Sequence, residues 1–214
     1  MIVESSNRRR RSLRLQGYDY AQPGAYFVTI CTQHRRCLFG KVTDETMRLN
    51  AAGELAAAMW NALPNRFAQI DLDAFVVMPN HIHGILIISD DVVGAPLVGA
   101  RDARAATRAA PTVGARDARA ATRAAPTVGV VVGAFKSAFA VEYIRGAKKG
   151  RWTAFDRRVW QRNYYEHVIR NEPDLTRVRR YIVENPLQWA FDRENPRRIA
   201  DGNRVGRARD EAIA

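Results

Sequence analysis

The segment 75–88 constrains this chain more than any other, because two histidines one residue apart interrupt an otherwise apolar, β-branched run. Its Val and Ile residues predict one strand on each side of Pro79-Asn80, or one strand with a break. Side chains alternate along a strand, so His81 and His83 should share one face while Ile82 points into the core. Two imidazoles on one face form two thirds of a divalent-metal site. Alternatively, each is a partly buried histidine bonded to backbone.

Length and charge indicate a globular protein with a polyanionic partner. The chain has 214 residues, 47% of them hydrophobic, and a net charge of +12. No apolar run approaches the roughly 20 residues of a membrane helix, and the basic start lacks the apolar segment of a secretory signal. Cys31 and Cys37 fit no zinc spacing, as expected of a reduced cytoplasmic protein. The positive charge favours nucleic acid over a membrane as partner.

Composition divides the chain into a folded domain and basic extensions. We expect a basic arm at 1–24, one domain at 25–192 and a basic tail at 193–214. Inside the domain, residues 98–112 read VGARDARAATRAAPT, and residues 113–127 repeat them letter for letter. Such small and charged residues cannot bury a core, so residues 92–127 are predicted to be a disordered, low-complexity loop insertion.

Periodicity predicts helices and strands around the histidine segment. One helix is expected at 51–63, with Asn50 as its N-cap and Pro64 after its end. A better-marked helix is expected at 173–185 and is ended by Pro186. The remaining expected elements are a first core strand at 26–32, a hairpin of 38–42 with 47–49, a helix from 128 that carries Val130, Phe135, Phe139 and Tyr143 and stops at Gly146, a basic turn at 148–151 and an edge strand within 159–167.

Tyr181 and Asn185 are four residues apart in the last helix and therefore lie on one of its faces. A tyrosine that reaches a two-histidine metal, with an amide oxygen beside it as third ligand, suits nucleophilic attack on a metal-polarised phosphodiester. The product would be a 5′-phosphotyrosine and a free 3′ hydroxyl. The alternative for Tyr181 is a helix tyrosine half-buried against the sheet, which the spacing alone favours.

The motifs of this chain resemble those of a known family. His81-Ile82-His83 is similar to the histidine–hydrophobic–histidine signature of HUH single-tyrosine endonucleases. Four further stretches resemble the REP-associated tyrosine transposases of the insertion-sequence 200/605-like group: YFVT at 26–29, MPNH at 78–81, WQRNYYEHVIRN at 160–171 and YIVENP at 181–186. The repeat loop departs from the family pattern.

The resemblance implies a fold, a site and a substrate. The fold would be α+β, with an antiparallel, ferredoxin-like HUH-type sheet and flanking helices. Tyr181 would be the nucleophile, and His81, His83 and Asn185 would hold a divalent metal, Mg²⁺ or Mn²⁺. The substrate would be single-stranded DNA beside hairpins or imperfect palindromes. We expect a monomer or a homodimer, and a site open to DNA that is not part of the folding core.

Other residues beside these motifs are weaker candidates. Tyr164 and Tyr165 are rival nucleophiles by residue type, but a strand would point them to opposite faces, one into the core and one towards a base. His167 is a possible DNA contact or a structural hydrogen-bonding residue. Glu166 could approach the metal, although solvent or an arginine is its default partner.

Cationic side chains are candidates for binding the DNA backbone. The arginines on the last helix, Arg177, Arg179 and Arg180, precede the tyrosine; an ordinary solvated helix face is their alternative. The predicted DNA-binding residues are Arg8, Arg9, Arg10, Arg11, Lys148, Lys149, Arg162, Arg177 and Arg180.

These observations predict a DNA endonuclease and strand transferase of transposase type. Two alternatives remain at this level. One is a hairpin-DNA-binding regulator that retains the fold without cleavage, and the other is a metal-dependent phosphodiesterase in which Tyr181 is structural and no covalent adduct forms.

Overall fold

The computed structural model describes residues 21–89 and 126–199. The predicted arm at 1–24, the repeat loop and the tail from 193 lie wholly or mostly outside these residues. The strands and helices are β1 (Gly24–Cys31), β2 (Gly40–Thr43), β3 (Thr46–Leu49), α1 (Ala51–Asn61), α2 (Leu63–Arg66), β4 (Ile70–Val77), β5 (His81–Ile88), α3 (Val128–Lys148), β6 (Tyr165–Ile169) and α4 (Glu172–Glu184).

Four strands form an antiparallel sheet in the order β4-β5-β1-β6. With α1 before β4 and α3 before β6, the main elements follow the β-α-β-β-α-β order of ferredoxin-like folds. The β2–β3 pair forms a separate hairpin between β1 and α1. The predicted antiparallel α+β fold with flanking helices is therefore confirmed, and the histidine segment takes the two-strand form.

Strand alternation divides the sheet between two cores. Tyr26, Val28 and Ile30 of β1 pack with residues of α1 and α3 in the larger core. Phe27, on the other face, packs with Val178 of α4 and its neighbours in a smaller core. Helix α4 therefore covers the face of the sheet opposite α1 and α3.

One glycine in β5 permits close packing on the larger core. A Cβ on Gly84 would overlap the indole ring of Trp60, which lies fully buried on α1. The missing side chain lets this large ring lie directly against the strand that carries the histidines.

No helix within residues 21–89 and 126–199 has the length and apolarity needed to cross a membrane.

Several predicted element ends are wrong. Pro64 does not simply end the first helix, because it occupies the first turn of α2, where its missing N–H is not needed. The end predicted at Pro186 is confirmed, because α4 ends at Glu184 and Pro186 lies in the first turn of a 3-10 segment, Asn185–Phe191. Gly146 does not end α3; it lies under the ring of Trp152. Val130 is 54% exposed, because five residues from Phe135 correspond to 140° around a helix.

Candidate metal and tyrosine site

His81 and His83 lie at the start of β5, between β4 and β1. Ile82 points into the larger core, so the two histidines share the opposite face, which α4 covers. Their ring centroids are 4.4 Å apart. The predicted common face is confirmed, but the expectation of an open site is wrong, because both side chains are 0% exposed. The covering residues of α4 and of the segment after it cause this burial.

Each imidazole is held through its Nδ1 atom. His81 Nδ1 is 2.9 Å from Asn80 Oδ1, and His83 Nδ1 is 2.8 Å from Thr29 Oγ1. The Nε2 atoms point to the other side, where His83 Nε2 is 3.4 Å from the Tyr181 hydroxyl. A histidine that ligates a metal through one ring nitrogen is commonly oriented by a hydrogen bond at the other. Both rings have this arrangement.

Asp192 is a third candidate ligand, which sequence reasoning missed. One carboxylate oxygen, Oδ2, is 3.9 Å from His81 Nε2, and the side chain is 9% exposed. Ligand atoms of Asp192, His81 and His83 all lie within 4.8 Å of one another. Two atoms bound to one ion at typical lengths are at most about 4.2 Å apart, so small side-chain shifts would let all three bind. No motif signals Asp192, because the folding of the C-terminal segment brings it there.

Asn185, the predicted third ligand, follows α4 directly and is 3% exposed. Its amide oxygen Oδ1 is buried and has no hydrogen-bond partner within the described parts of the chain. A buried polar atom without a partner costs about 1–3 kcal/mol. A cation near this oxygen would remove that cost. Asn185 follows Tyr181 by one turn, and two imidazoles, a carboxylate and an amide oxygen are donor types that a divalent metal accepts.

Tyr181 lies on α4 directly above the histidine pair. Its ring packs against His83, with centroids 5.1 Å apart, and edge-on against Phe27 at 5.9 Å. The side chain is half-buried, as in the structural alternative, but its hydroxyl is also the group that reaches His83. The half-buried ring of the structural alternative and the reach to a histidine expected of the nucleophile are therefore both present.

The rival tyrosines are farther from the histidines. Tyr165 pairs with Thr29, whose other neighbour is His83, so it lies on the histidine face. Its Cα is two strand spacings, about 10 Å, from the Cα of His83. Tyr164 packs against the larger core, on the other side of the sheet. The predicted separation of these two tyrosines onto opposite faces is confirmed.

Two polar residues of β6, Glu166 and His167, are placed for structural contacts and not for binding a metal beside the histidine pair. Glu166 pairs with Val28, so it points away from the histidine face and is not placed to bind a metal there. His167 Nε2 is 3.0 Å from Asp174 Oδ2 at the start of α4. Burial by itself would raise the pKa of Asp174, but hydrogen bonds from Arg177 and His167 hold it below its ordinary value. This contact joins β6 to the helix that carries Tyr181.

The predicted DNA-binding cations differ in their surroundings. Arg177 donates to Asp174, and Arg179 binds both carboxylate oxygens of Asp73 on β4, so these two arginines anchor α4. Hydrogen bonding by Arg179 lowers the pKa of Asp73, and the same contact raises the pKa of Arg179. The residues Lys148, Lys149, Arg162 and Arg180 are exposed, whereas Arg8, Arg9, Arg10 and Arg11 lie outside the described residues.

The fold and site define an α+β protein with a buried histidine pair on its central sheet and a tyrosine on the covering helix. No protein-family model matches the chain. An uncharacterized protein of Haemophilus influenzae is 37% identical over 183 residues, which are 86% of this chain and 91% of that protein. The chain belongs to the same family as this Haemophilus protein.

Two solved structures are also similar to the chain. One is a REP-associated tyrosine transposase bound to a REP hairpin, with a TM-score of 0.45 and 18% identity, covering 82% of this chain and 74% of that one. The other is a protein of Deinococcus radiodurans, with a TM-score of 0.38 and 16% identity, covering 81% of this chain and 96% of that one. Similarity at this level leaves the chemistry to be argued from the site's own residues.

Proposed function

We propose that this protein is a metal-dependent, transposase-like endonuclease and strand transferase acting on single-stranded DNA, with Tyr181 as its nucleophile. The observation that carries the proposal is the 3.4 Å contact between the Tyr181 hydroxyl and Nε2 of His83, one of two buried histidines clustered with a carboxylate. The resemblance of the HIH and YIVENP motifs to HUH single-tyrosine endonucleases supports the same assignment.

Four residues would hold the metal: His81, His83, Asp192 and Asn185. The mixture of imidazole, carboxylate and amide donors suits Mn²⁺, and Mg²⁺ through its oxygen atoms. When bound, such a cation would withdraw charge from a phosphoryl oxygen of the scissile phosphate. Oδ1 of Asn185 is buried and accepts no hydrogen bond from the residues that the structure describes, which supports its place in this set.

Tyr181 would carry out the covalent step. Its phenol oxygen bonds to phosphorus while the bond from phosphorus to the 3′ oxygen breaks. The phenol proton is lost, and the departing 3′ oxygen takes up a proton. The downstream strand then remains joined to the protein through its 5′ phosphate, and no water is consumed. The bond is therefore retained for transfer to another 3′ hydroxyl.

Charge supports DNA as the substrate. The chain carries a net charge of +12, and Lys148, Lys149, Arg162 and Arg180 project into solvent, where they could contact phosphates. Arg177 and Arg179 are committed to Asp174 and Asp73 and are weaker candidates. We propose that hairpins or imperfect palindromes position the single strand at Tyr181.

The test uses single-stranded oligonucleotides that contain the palindromes flanking the gene, incubated with the protein and Mn²⁺ or Mg²⁺. A label at the 3′ end should migrate with the protein on a denaturing gel, because the downstream fragment is the one attached. A label at the 5′ end should appear in a shorter, free strand with a 3′ hydroxyl. Free fragments without any adduct would favour the hydrolytic phosphodiesterase.

Matched variants assign the nucleophile. Tyr181→Phe removes only the hydroxyl, so DNA binding should persist while adduct and cleavage disappear. Tyr165→Phe is the control, because Tyr165 lies on the same face of the sheet but about 10 Å from His83. An adduct that survives Tyr181→Phe would refute the assignment. Tight hairpin binding without cleavage by the wild type would favour the regulator.

A further inference from the structure

We propose that Asn80 is a positioning residue that fixes the tautomer of His81 and holds Asp192 beside it. Asn80 precedes β5, and its side chain is fully buried. This inference rests on the metal site of the proposed function, but it concerns how the ligands are oriented before a metal arrives. It can therefore be tested without DNA.

The amide orientation of Asn80 follows from its neighbours. Its Nδ2 atom donates to the backbone carbonyl of Arg35 at 3.0 Å and to the backbone carbonyl of Glu194 at 2.6 Å. A carbonyl oxygen can only accept a hydrogen bond, so the NH₂ group must face these two atoms. The amide oxygen Oδ1 is then the atom that faces His81 Nδ1, at 2.9 Å.

This orientation decides where His81 carries its proton. Because Oδ1 of Asn80 only accepts, Nδ1 of His81 must be the ring nitrogen that bears the hydrogen. In the neutral ring, Nε2 then has the lone pair. Nε2 is the atom that faces Oδ2 of Asp192, at 3.9 Å. Nε2 therefore carries the lone pair that could ligate a metal next to Asp192.

Asn80 is linked to Asp192 through the backbone of Glu194. The backbone N–H of Glu194 donates to Asp192 Oδ1 at 2.7 Å, which leaves Oδ2 directed towards His81. The carbonyl of the same Glu194 is held by Asn80, and its carboxylate accepts a hydrogen bond from Arg35 at 2.9 Å. One buried amide thus orients two candidate ligands from distant parts of the chain.

No other side chain of this size provides the same set of contacts. Aspartate keeps an acceptor for His81 but has no N–H for the two carbonyls, and alanine provides neither. A residue that merely closed the turn before β5 would affect stability without affecting the tautomer or metal affinity. These two quantities therefore separate a positioning role from a structural one.

The first measurement is ¹⁵N NMR of the histidine rings in metal-free wild type at about pH 8, where an ordinary histidine is neutral. We expect His81 in the Nδ1–H form. The Nε2–H form would overturn the inference, whatever the variants do.

The second measurement is calorimetric titration with Mn²⁺. Asn80→Ala should raise the Kd about 10- to 100-fold, as loss of the hydrogen bond that orients a ligand usually does. Asn80→Asp should keep the Nδ1–H tautomer and bind Mn²⁺ with intermediate affinity, because the acceptor for His81 remains while the hydrogen bonds to the carbonyls of Arg35 and Glu194 are both lost. Asn65→Asp makes the same chemical change at an exposed position of α2 and should bind like the wild type.

A folded Asn80→Ala with a Kd within twofold of wild type would overturn the inference. If Asn80→Ala does not fold, the wild-type tautomer and the Mn²⁺ titration of Asn80→Asp test the inference. An affinity of Asn80→Asp for Mn²⁺ equal to that of the wild type would show that the hydrogen bond to the carbonyl of Glu194 does not position Asp192. A wild type that has the expected tautomer and binds Mn²⁺ but forms no DNA adduct would refute the proposed endonuclease and leave this inference intact.

Discussion

Asp174 should stabilise the helix that carries the nucleophile. The residue is 9% exposed and accepts hydrogen bonds from His167 of β6 at 3.0 Å and from Arg177 of α4 at 2.6 Å. It also lies in the first turn of α4, where a negative charge interacts favourably with the helix dipole. Replacing it by alanine removes all three contributions and loosens α4 from the sheet two turns before Tyr181.

Asp174→Ala should lower the free energy of unfolding by about 2 kcal/mol. The sheltered bond to His167 contributes about 1 kcal/mol. The pair with Arg177 contributes only about 0.5 kcal/mol, because that side chain is 38% exposed and screened by solvent. The helix dipole adds about 0.5 kcal/mol. For a chain of this length the melting temperature should fall by roughly 4–8 °C.

The pH dependence gives this prediction its sign. The folded-state pKa of Asp174 is lowered, so its contribution is complete above the unfolded-state value of about 3.9 and disappears as the pH falls through the lower folded value. Urea denaturation should therefore show the full difference between wild type and Asp174→Ala at pH 7 and a smaller one at pH 3. Asp156→Ala, whose side chain is 77% exposed, is the control and should change stability by less than about 0.5 kcal/mol.

If the free energies of unfolding of wild type and Asp174→Ala differ by less than about 0.5 kcal/mol at pH 7, these contacts do not stabilise α4 as proposed. If they differ equally at pH 7 and pH 3, the charge of Asp174 does not contribute.

Three further predictions concern the loop, the DNA and the metal. Deleting residues 113–127 should leave the melting temperature and adduct formation nearly unchanged. Thr112 then precedes Val128 and replaces Thr127, the N-cap of α3, and the shorter connection lowers the entropic cost of closure by no more than about 0.6 kcal/mol. A large fall in the melting temperature or in adduct formation would show that the repeat is part of the working structure. The logarithm of the hairpin affinity should fall with the logarithm of salt concentration, with a slope of about 0.7–0.9 per phosphate contacted, and a flat profile would exclude a phosphate-dominated interface. Excess chelator should abolish cleavage and added Mn²⁺ should restore it, whereas full activity in chelator would rule out the metal mechanism.

Sequence patterns predicted the parts of the site that local geometry determines. The alternation of a strand is enough to place His81 and His83 on one face, and the helical period is enough to place Tyr181 one turn before Asn185. The separation of Tyr164 from Tyr165 follows from the same strand rule. In each case the relevant residues lie within one secondary-structure element or directly beside its end, so the repeat of that element relates their side chains.

The remaining parts depend on tertiary contacts that no local pattern reveals. Asp192 lies beyond the last predicted helix, in a segment that tertiary contacts such as the hydrogen bond from Asn80 to the carbonyl of Glu194 hold near His81. The helix expected to end at Gly146 continues to Lys148, and the glycine that follows its end with a positive φ, +68°, is Gly150. The burial of the histidines likewise follows from the docking of α4 and the segment after it.

The role of Tyr181 as nucleophile can be tested by locating the nucleotide on the protein by tandem mass spectrometry after nuclease and trypsin digestion of the adduct. Trypsin separates the candidates, because Tyr181 begins the peptide 181–193 whereas Tyr164 and Tyr165 share the peptide 163–170. We expect a nucleotide joined through its 5′ phosphate to Tyr181. Modification of peptide 163–170, or strand cleavage with no modified peptide, would contradict it.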